Sequence, residues 1–418
     1  MRHDSNKRKP VLKYLDFVDL SYKPTETDLV CTFFVEPEGI RLKEAAGGVA
    51  AESSIGTWTE LTTEEPYVER LAAHVFSVEG NVVKIAYPVE LFEGGNMPNI
   101  LSSVAGNVFG LKALKNLRLN DVEFPAELLQ SFKGPQFGVE GVRELLGVSE
   151  RPLVGTIIKP KLGLKTVDHA QVAYEAWAGG CDVVKDDENL SSQRFNPFED
   201  RVVKTLESRD KAEAETGERK VYMVNVTAET ETMVKRAEYV LAHGGEYVMV
   251  DILTCGFSAL QTLRDQGFKL VFHAHRAGHA AFTKNPKHGI SMRVIAKVAR
   301  IIGVDQLHVG TVVGKMSETK QEVLENIEAC KMPMGGLKPV LPVASGGLHP
   351  RLVPALMETF GKDFVIQAGG GIHGHTDGTF AGATAMRQAV DATLEGKTLE
   401  EYAKTHKELR IALELWKD

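Results

Sequence analysis

Short apolar stretches alternate with amphipathic ones over most of the chain after residue 134. Eight of the apolar stretches have the length and β-branched content of buried strands: Leu153 to Ile158, Cys181 to Lys185, Val221 to Val226, Tyr247 to Asp251, Leu270 to His275, Gln306 to Val309, Val340 to Ser345 and Phe364 to Ala368. Near-continuous apolar strands are typical of a parallel sheet, and eight strand-helix repeats are the number in a closed barrel. The pattern predicts an α/β fold with a C-terminal (β/α)8 TIM barrel over residues 135–418.

The first part of the chain mixes the two periodicities. Leu29 to Val35 and Asn81 to Tyr87 are rich in β-branched and aromatic residues, which predicts strands. Ile40 to Ser54 and Asn99 to Phe109 have helical patterns, the first with a weak point at its Gly-Gly pair. A Gly-Pro pair then breaks the pattern. We therefore expect an N-terminal α+β domain over residues 1–134.

Composition and charge narrow the function classes. The 49 Lys and Arg against 56 Asp and Glu give a net charge of −7, so no basic surface for nucleic acid is expected. No apolar run approaches the roughly 20 residues that cross a bilayer, and the polar start lacks the core of a signal peptide. The 4 cysteines are widely spaced without a C-x-x-C pair, which predicts reduced thiols. We expect a cytoplasmic protein that binds neither nucleic acid nor membrane.

The second predicted barrel strand ends in one lysine and three acids. Because strand side chains alternate, Lys185 and Asp187 share a face, Asp186 points away, and Glu188 lies where the strand breaks into a loop. Two neighbouring carboxylates suit a hard cation such as Mg2+. A lysine deprotonated in a partly desolvated pocket is a nucleophile, and CO2 would convert it into a carbamate. A buried salt bridge at the strand end explains the same residues, so the motif alone leaves both interpretations open.

Polar or glycine-rich residues also follow other predicted strands. They are Lys159 and Lys161 after the first strand, His273, His275 and Arg276 in and after the fifth, His308 in the sixth, Ser345, Gly346 and Gly347 after the seventh, and Gly369, Gly370 and Gly371 after the eighth. The carboxyl ends of barrel strands converge on one mouth, so these residues are expected to share a site. Each segment taken alone also fits a basic turn, a tight turn or a satisfied polar side chain.

The chemistry of these residue types fits a phosphorylated substrate. Two crowded lysines depress each other's pKa, which allows one of them to move protons. A histidine suits a general base, an arginine clamps phosphate with two hydrogen bonds, and paired glycine loops bring backbone N–H groups to an anion. Gly310 to Met316 has glycines around an apolar stretch and carries Lys315, which fits a mobile lid. A plain surface loop fits that stretch equally well.

Together the motifs resemble the large chain of ribulose-1,5-bisphosphate carboxylase/oxygenase (RuBisCO), most closely its archaeal-type form III. The resemblance rests on GGCDVVKDDEN from Gly179, IIKPKLGL from Ile157, HAHRAGH from His273, GTVVGK from Gly310, ESSIGTW from Glu52 and GNVFG from Gly106. It implies an N-terminal α+β domain, a (β/α)8 barrel, and active sites formed between the two subunits of a homodimer. It further implies assembly from large chains alone, as dimers or a higher oligomer, without a small subunit.

The resemblance also implies residue roles. Lys185 would be carbamylated by CO2, bind Mg2+ with Asp187 and Glu188, and through the carbamate take the first proton from C3. Lys159, tuned by Lys161, would serve enolisation and the final protonation. His275 would assist hydration, and Lys315 would hold the new carboxylate. The implied substrate-binding residues are Arg276, His308, Ser345, Gly346, Gly347, Gly369 and Gly370, with Glu52, Thr57, Trp58 and Asn107 arriving from the partner subunit.

The implied reaction is carboxylation of D-ribulose 1,5-bisphosphate with CO2 and water to two 3-phosphoglycerate through a Mg-bound enediolate, with competing oxygenation by O2. Form III membership implies a role in nucleotide (AMP) salvage. Met316 stands where plant-type enzymes have leucine, which bears on CO2/O2 selectivity. The alternatives are a RuBisCO-like enolase or isomerase acting on another sugar phosphate, and a noncatalytic assembly protein. The intact lysines and glycine sites favour the carboxylase over both.

Overall fold

A computed structural model of the protein describes residues 13–59, 63, 65–313 and 318–417. The chain divides into two compact units. The first consists of Met1–Phe132 and Ala280–Ile295, and the second of Lys133–His279 and Ala296–Asp418. The first unit therefore takes in a short segment from late in the sequence.

The strands in chain order are β1 (Leu29–Pro37), β2 (His74–Glu79), β3 (Val82–Tyr87), β4 (Leu114–Glu123), β5 (Leu153–Ile157), β6 (Val183–Lys185), β7 (Val221–Asn225), β8 (Tyr247–Asp251), β9 (Val271–His275), β10 (Gly289–Ile290), β11 (Gln306–His308), β12 (Leu341–Ser345) and β13 (Val365–Gln367). The helices are α1 (Leu42–Glu52), α2 (Met97–Val104), α3 (Ala126–Gln130), α4 (Gly138–Leu146), α5 (Thr166–Ala178), α6 (Phe198–Thr216), α7 (Thr230–Ala242), α8 (Phe257–Asp265), α9 (Ala280–Thr283), α10 (Met292–Ile302), α11 (Lys320–Lys331), α12 (Val353–Phe360), α13 (Gly370–His373), α14 (Gly378–Leu394), α15 (Leu399–Ala403) and α16 (Lys407–Leu415). Short 3-10 helices span Tyr14–Phe17, Pro66–Leu71, Val89–Leu91, Asn107–Gly110 and Pro350–Leu352.

The first unit contains a sheet with strand order β10-β4-β1-β3-β2. Strand β1 pairs antiparallel with both β3 and β4, and β10 adds a short parallel edge to β4. Helix α1 buries its apolar residues, and a Cβ atom on its Gly47 would lie 1.9 Å from the carbonyl oxygen of Tyr14. The Gly-Gly pair of the sequence therefore permits a close backbone approach instead of weakening the helix.

The second unit is a closed parallel barrel whose order around the cylinder is β11-β12-β13-β5-β6-β7-β8-β9 within the described part of the chain. This confirms the predicted (β/α)8 fold. Val142 and Leu146 of α4 pack against Leu153, Val183 and other apolar residues that lie at or near the starts of the strands. Helix α4 covers the amino-terminal end of the barrel. The carboxyl ends of the strands, at the opposite end, are therefore where an active site is expected. Among the described residues, no helix is both long and apolar enough to cross a membrane.

Candidate functional site

Lys185 is the last residue of β6, and its side chain is fully buried. Its Nζ donates to the carbonyl oxygen of Asp186 at 2.7 Å and to Sδ of Met249 at 3.1 Å, and Oε2 of Glu188 lies 3.7 Å away. Burial lowers the pKa of this amine, and the nearby carboxylates, Glu188 first, only partly offset that effect. A desolvated amine of lowered pKa is suited to act as a nucleophile.

Asp186 points away from the barrel mouth, as the alternation of strand side chains predicts. It accepts hydrogen bonds from the Tyr222 hydroxyl at 2.6 Å and the Asn225 backbone N–H at 3.0 Å, and Nε of Arg201 lies 3.3 Å from it. Burial opposes ionisation, but the charge of Arg201 and the proximity of His169, whose Nε2 lies 3.1 Å from Oδ1, outweigh it and lower the pKa of Asp186 to about 2. This carboxylate therefore anchors the strand behind the site.

Asp187 faces the mouth and pairs with Lys159 from the end of β5. Nζ of Lys159 lies 2.8 Å from Oδ2 of Asp187, and the backbone and side chain of Asn189 donate to Oδ1 at 3.1 and 3.0 Å. Burial alone would raise the pKa of Asp187, but these hydrogen bonds hold it below its usual value. The two ends of neighbouring strands are thus joined by a charged hydrogen bond.

Glu188 lies between two basic side chains. Its Oε2 is 3.7 Å from Nζ of Lys185 and 3.7 Å from Nε2 of His275. Their charges lower the pKa of Glu188 against the opposing effect of burial. The other ring nitrogen of His275, Nδ1, bonds Oδ1 of Asp251 at 2.7 Å. Asp251 was missed by the sequence reasoning, although its place at the end of a predicted strand was a usable signal.

His308 joins a hydrogen-bonded row inside the barrel. Its Nδ1 bonds Oγ of Ser345 at 2.8 Å, and its Nε2 bonds Nε2 of His273 at 2.8 Å. Nδ1 of His273 in turn bonds Oε1 of Gln306 at 2.8 Å. Burial lowers the pKa of His273 to about 3 and that of His308 well below its usual value, so both rings are neutral. The sequence left the role of His273 open, and the structure shows that this residue connects Gln306 to His308 inside the barrel. Nothing in the sequence was a reason to select Gln306 as a site residue.

Arg276 follows β9 and forms an ion pair with Glu318. Its Nη2 donates to Oε2 at 2.9 Å, and its Nη1 donates to Oε1. Both side chains are largely buried, with 6% and 12% of their surface exposed. The guanidinium predicted to clamp a phosphate is therefore paired with a carboxylate of the same chain.

The two glycine loops after β12 and β13 lie against each other. A Cβ atom on Gly371 would lie 1.9 Å from the carbonyl oxygen of Leu348, and Gly346 and Gly347 have positive φ angles of 121° and 67°. Such backbone is open mainly to glycine. A Cβ on Gly369 would lie 3.1 Å from Cε of Lys159. The structure thus brings both loops and Lys159 to one part of the mouth, with Gly370 exposed.

Some of the predicted site residues do not lie with the group of side chains described above at the barrel mouth. Lys161 is exposed after β5. Lys315 and Met316 lie outside the described residues. The remaining four, Glu52, Thr57, Trp58 and Asn107, belong to the first unit. There Glu52 accepts a hydrogen bond from the Tyr14 hydroxyl at 2.7 Å, and Trp58 is 82% exposed.

The donors at the mouth would suit an oxygen-liganded cation better if Lys185 were modified. Across residues 13–59, 63, 65–313 and 318–417, no three His, Cys, Asp or Glu side chains are grouped to hold a metal ion. Asp187 and Glu188 supply two carboxylates, and Lys185 is the third functional group beside them. Addition of CO2 would turn its amine into a further anionic oxygen donor, which suits Mg2+.

Comparison with known proteins agrees with this architecture. Residues 16–128 match the N-terminal domain of the ribulose bisphosphate carboxylase large chain, and residues 138–416 match its catalytic domain. The ribulose bisphosphate carboxylase of Methanocaldococcus jannaschii is 52% identical over 427 residues, which cover 96% of this chain and 100% of that protein. That of Pyrococcus furiosus is 54% identical over 409 residues, covering 96% and 97%.

Solved structures give the same result. The octameric Rubisco of Pyrococcus horikoshii OT3, in complex with sulfate ion, superposes with a TM-score of 0.95 at 52% identity, covering 98% of this chain and 99% of that one. The dimeric archaeal Rubisco of Hyperthermus butylicus gives a TM-score of 0.90 at 47% identity, covering 96% and 99%. Family models and relatives thus cover nearly the whole described chain. The chain belongs to the ribulose bisphosphate carboxylase large-chain family.

Proposed function

We propose that the protein carboxylates D-ribulose 1,5-bisphosphate with CO2 and water to two molecules of 3-phosphoglycerate, with O2 competing in an oxygenase side reaction. The observation that carries the proposal is the fully buried Lys185 amine beside Asp187 and Glu188 at the mouth of a barrel of this family. A RuBisCO-like enolase or isomerase is the alternative. It is not favoured, because the curated relatives reported above are carboxylases.

Activation begins at Lys185. The neutral amine adds to the carbon of CO2 and loses a proton, which gives a carbamate on Nζ. The lowered pKa of the buried amine and the absence of a short bond to Glu188, which stays 3.7 Å away, both support this reactivity. Carbamylated Lys185, Asp187 and Glu188 would then hold Mg2+. When bound, this ion supplies a Lewis acid that polarises the substrate carbonyl and stabilises developing negative charge.

Proton transfer falls to residues around that position. Lys159 is 34% exposed and reaches over Gly369 to Asp187, so its ammonium lies at the mouth, where it can serve enolisation and protonate the final carbanion. His275 is held by Asp251 through Nδ1, which leaves Nε2 facing Glu188 and the mouth for hydration and proton movement at C3. Lys161 and Lys315 keep their predicted roles, tuning Lys159 and holding the new carboxylate.

Two anion sites would anchor the substrate across the mouth. Arg276 supplies one, because a guanidinium can form two parallel hydrogen bonds to a phosphate. His308 has both ring nitrogens engaged by His273 and Ser345, so we assign it to holding Ser345 in place. The loops with Gly347, Gly369 and Gly370 supply the other site through backbone N–H groups.

The chain is inferred to work as a homo-oligomer without a small subunit, with Glu52, Thr57, Trp58 and Asn107 completing the site of the partner subunit. The octameric and dimeric assemblies named for the two solved relatives support this inference. Mixing Glu52→Gln subunits with Lys185→Ala subunits should restore part of the activity, because each mixed dimer contains one intact site. Proven mixed dimers without any recovery would contradict the shared site.

Product analysis separates the carboxylase from the enolase. Purified protein, activated with CO2 and Mg2+, is given ribulose 1,5-bisphosphate and 13C-labelled CO2 in deuterated water, and the products are followed by NMR. The proposal predicts 3-phosphoglycerate that carries 13C in its carboxyl group. Deuterium exchange at C3 without any carboxylated product, or an isomerised sugar phosphate without new carbon, would support the alternative.

A further inference from the structure

We propose that Gln306 is a positioning residue which, through His273 and His308, makes the Ser345 hydroxyl a donor to His308 and leaves its oxygen to accept a hydrogen bond from a hydroxyl group of the substrate. The identity of the substrate rests on the proposed function. The direction of the hydrogen bonds does not, since it follows from the geometry of the free protein.

The four side chains form one continuous row. Gln306 and His273 lie directly opposite each other on the paired strands β11 and β9, and His308 shares the face of Gln306 two residues on. The three links measure 2.8 Å each, from Gln306 Oε1 to His273 Nδ1, from His273 Nε2 to His308 Nε2, and from His308 Nδ1 to Ser345 Oγ. Gln306 and His273 have no exposed surface, and His308 is 3% exposed.

The amide oxygen of Gln306 sets the direction of every bond in the row, because an amide oxygen can only accept. Nδ1 of His273 must therefore carry the proton, and in a neutral ring its Nε2 is then an acceptor. His308 must donate from Nε2, so its Nδ1 accepts, and Ser345 donates its only proton to it. Burial keeps both rings neutral, which excludes an imidazolium that would donate from both nitrogens.

A second hydrogen bond, made by the amide nitrogen, supports this orientation of the Gln306 side chain. Its Nε2 donates to the Tyr247 hydroxyl oxygen at 3.5 Å. Rotating the amide by a half turn would place its N–H₂ group against His273 and reverse all three bonds. Ser345 would then accept from His308 and be free to donate.

Because Ser345 donates its proton to His308, its oxygen can bind only a ligand group that donates a hydrogen bond. At neutral pH a carboxylate is ionised and a phosphate monoester is mostly the dianion, so neither is a good hydrogen-bond donor to the Ser345 oxygen. A sugar hydroxyl can donate to it. The row therefore favours a polyhydroxylated substrate backbone at Ser345 and leaves the anionic ends to Arg276 and the glycine loops.

The direct test is the protonation state of the two histidines in the wild-type protein. In 15N-histidine-labelled protein, solid-state NMR distinguishes protonated from unprotonated ring nitrogens, and His308→Asn and His273→Asn spectra assign the signals. We expect a proton on Nε2 of His308 and on Nδ1 of His273. A proton on Nδ1 of His308 would overturn the proposal, whatever the protein's activity.

Kinetics test whether the row matters for the substrate. Gln306→Leu removes the acceptor and should raise KM for ribulose 1,5-bisphosphate about tenfold, the usual size of one hydrogen bond, with kcat nearly unchanged. In a Ser345→Ala background the same change should add no further increase. Gln367→Leu, which removes another buried barrel amide, is the matched control.

An equal KM change in Gln306→Leu and Gln367→Leu, or a full effect of Gln306→Leu without Ser345, would contradict the proposal. If the proposed function is wrong but the hydrogen-bond direction is right, the experiments give a different result. In that case the NMR spectra show the expected protonation, while no variant and no wild-type protein turns over ribulose 1,5-bisphosphate.

Discussion

The guanidinium of Arg276 and the carboxylate of Glu318 form a two-armed ion pair across 42 residues of sequence. Gly310 packs against this pair, since a Cβ there would lie 2.5 Å from Oε2 of Glu318 and 3.0 Å from Nη2 of Arg276. If Arg276 binds a substrate phosphate as proposed, that phosphate competes with the carboxylate of Glu318 for the guanidinium N–H groups. Substrate binding and the position of Glu318 would then be coupled.

Replacing Glu318 by Gln should strengthen substrate binding. The amide keeps the size of the side chain but loses the charge that competes with phosphate, so KM for ribulose 1,5-bisphosphate should fall about threefold to tenfold, on the scale of one ordinary hydrogen bond. Steady-state kinetics measures this. Glu325→Gln, which removes the same charge further along the chain at a solvent-exposed hydrogen bond, is the control. An unchanged or raised KM in Glu318→Gln would show that the pair does not compete with the substrate.

Lys185→Met should abolish activation by CO2 and Mg2+ together with carboxylation, because methionine keeps the bulk but has no amine. Activity should fall at least a thousandfold, as expected when an essential group is lost. Lys220→Met provides the control for removal of a fully buried lysine, since Lys220 precedes β7 at the other end of the barrel and bonds the Cys181 carbonyl oxygen and Glu218. Substantial turnover by folded Lys185→Met would be incompatible with the carbamate.

Asp186→Ala should destabilise the barrel more than it changes the chemistry directly. It leaves the fully buried Arg201 without its carboxylate and removes the acceptor of the Tyr222 hydroxyl. Breaking a buried pair in this way costs about 3–5 kcal/mol of unfolding free energy. Chemical denaturation measures it. Asp200→Ala, on the exposed side of α6, should change little. Equal stability of the two variants would show that Asp186 does not anchor β6.

Two glycines of the last loop should respond differently to alanine. A methyl group on Gly371 meets the Leu348 carbonyl oxygen, so Gly371→Ala should lower stability by about 1–3 kcal/mol and separate the two loops. A methyl group on Gly370 meets no atom within 4 Å, so Gly370→Ala should fold normally and raise KM by blocking phosphate. Thermal unfolding and kinetics together distinguish the two effects. A stable Gly371→Ala or a normal KM in Gly370→Ala would contradict this assignment.

The barrel was predictable because most of its strands are near-continuous apolar runs, as in Tyr247–Asp251, where every residue is buried. The first sheet was predictable only in part. Strand β4 has Lys115, Arg118, Asp121 and Glu123 between its apolar residues and so lacks that pattern, and β10 is a 2-residue strand fixed by its pairing with β4. Long-range pairing of this kind leaves no local signal.

The same limit applies to the site. The residues at strand ends, such as Lys159 and Asp187, could be grouped from the sequence because barrel topology brings those ends together. Glu318 and Gln306 could not be assigned to the site from the sequence, because neither forms part of a motif. Their roles depend on Arg276 and His273, which lie 42 and 33 residues away in the chain. The direction of the hydrogen bonds at Ser345 likewise depends on side-chain geometry inside the barrel.

The most direct test of the central claim is CO2 activation at Lys185. The purified protein is preincubated with CO2 and Mg2+, then given ribulose 1,5-bisphosphate and labelled CO2, and acid-stable label in 3-phosphoglycerate is measured. The carbamate is trapped in parallel and located by mass spectrometry. We expect incorporation that depends on preincubation, with the modification on Lys185. Folded, oligomeric protein that incorporates no label, or that is fully active without a modified Lys185, would contradict the account.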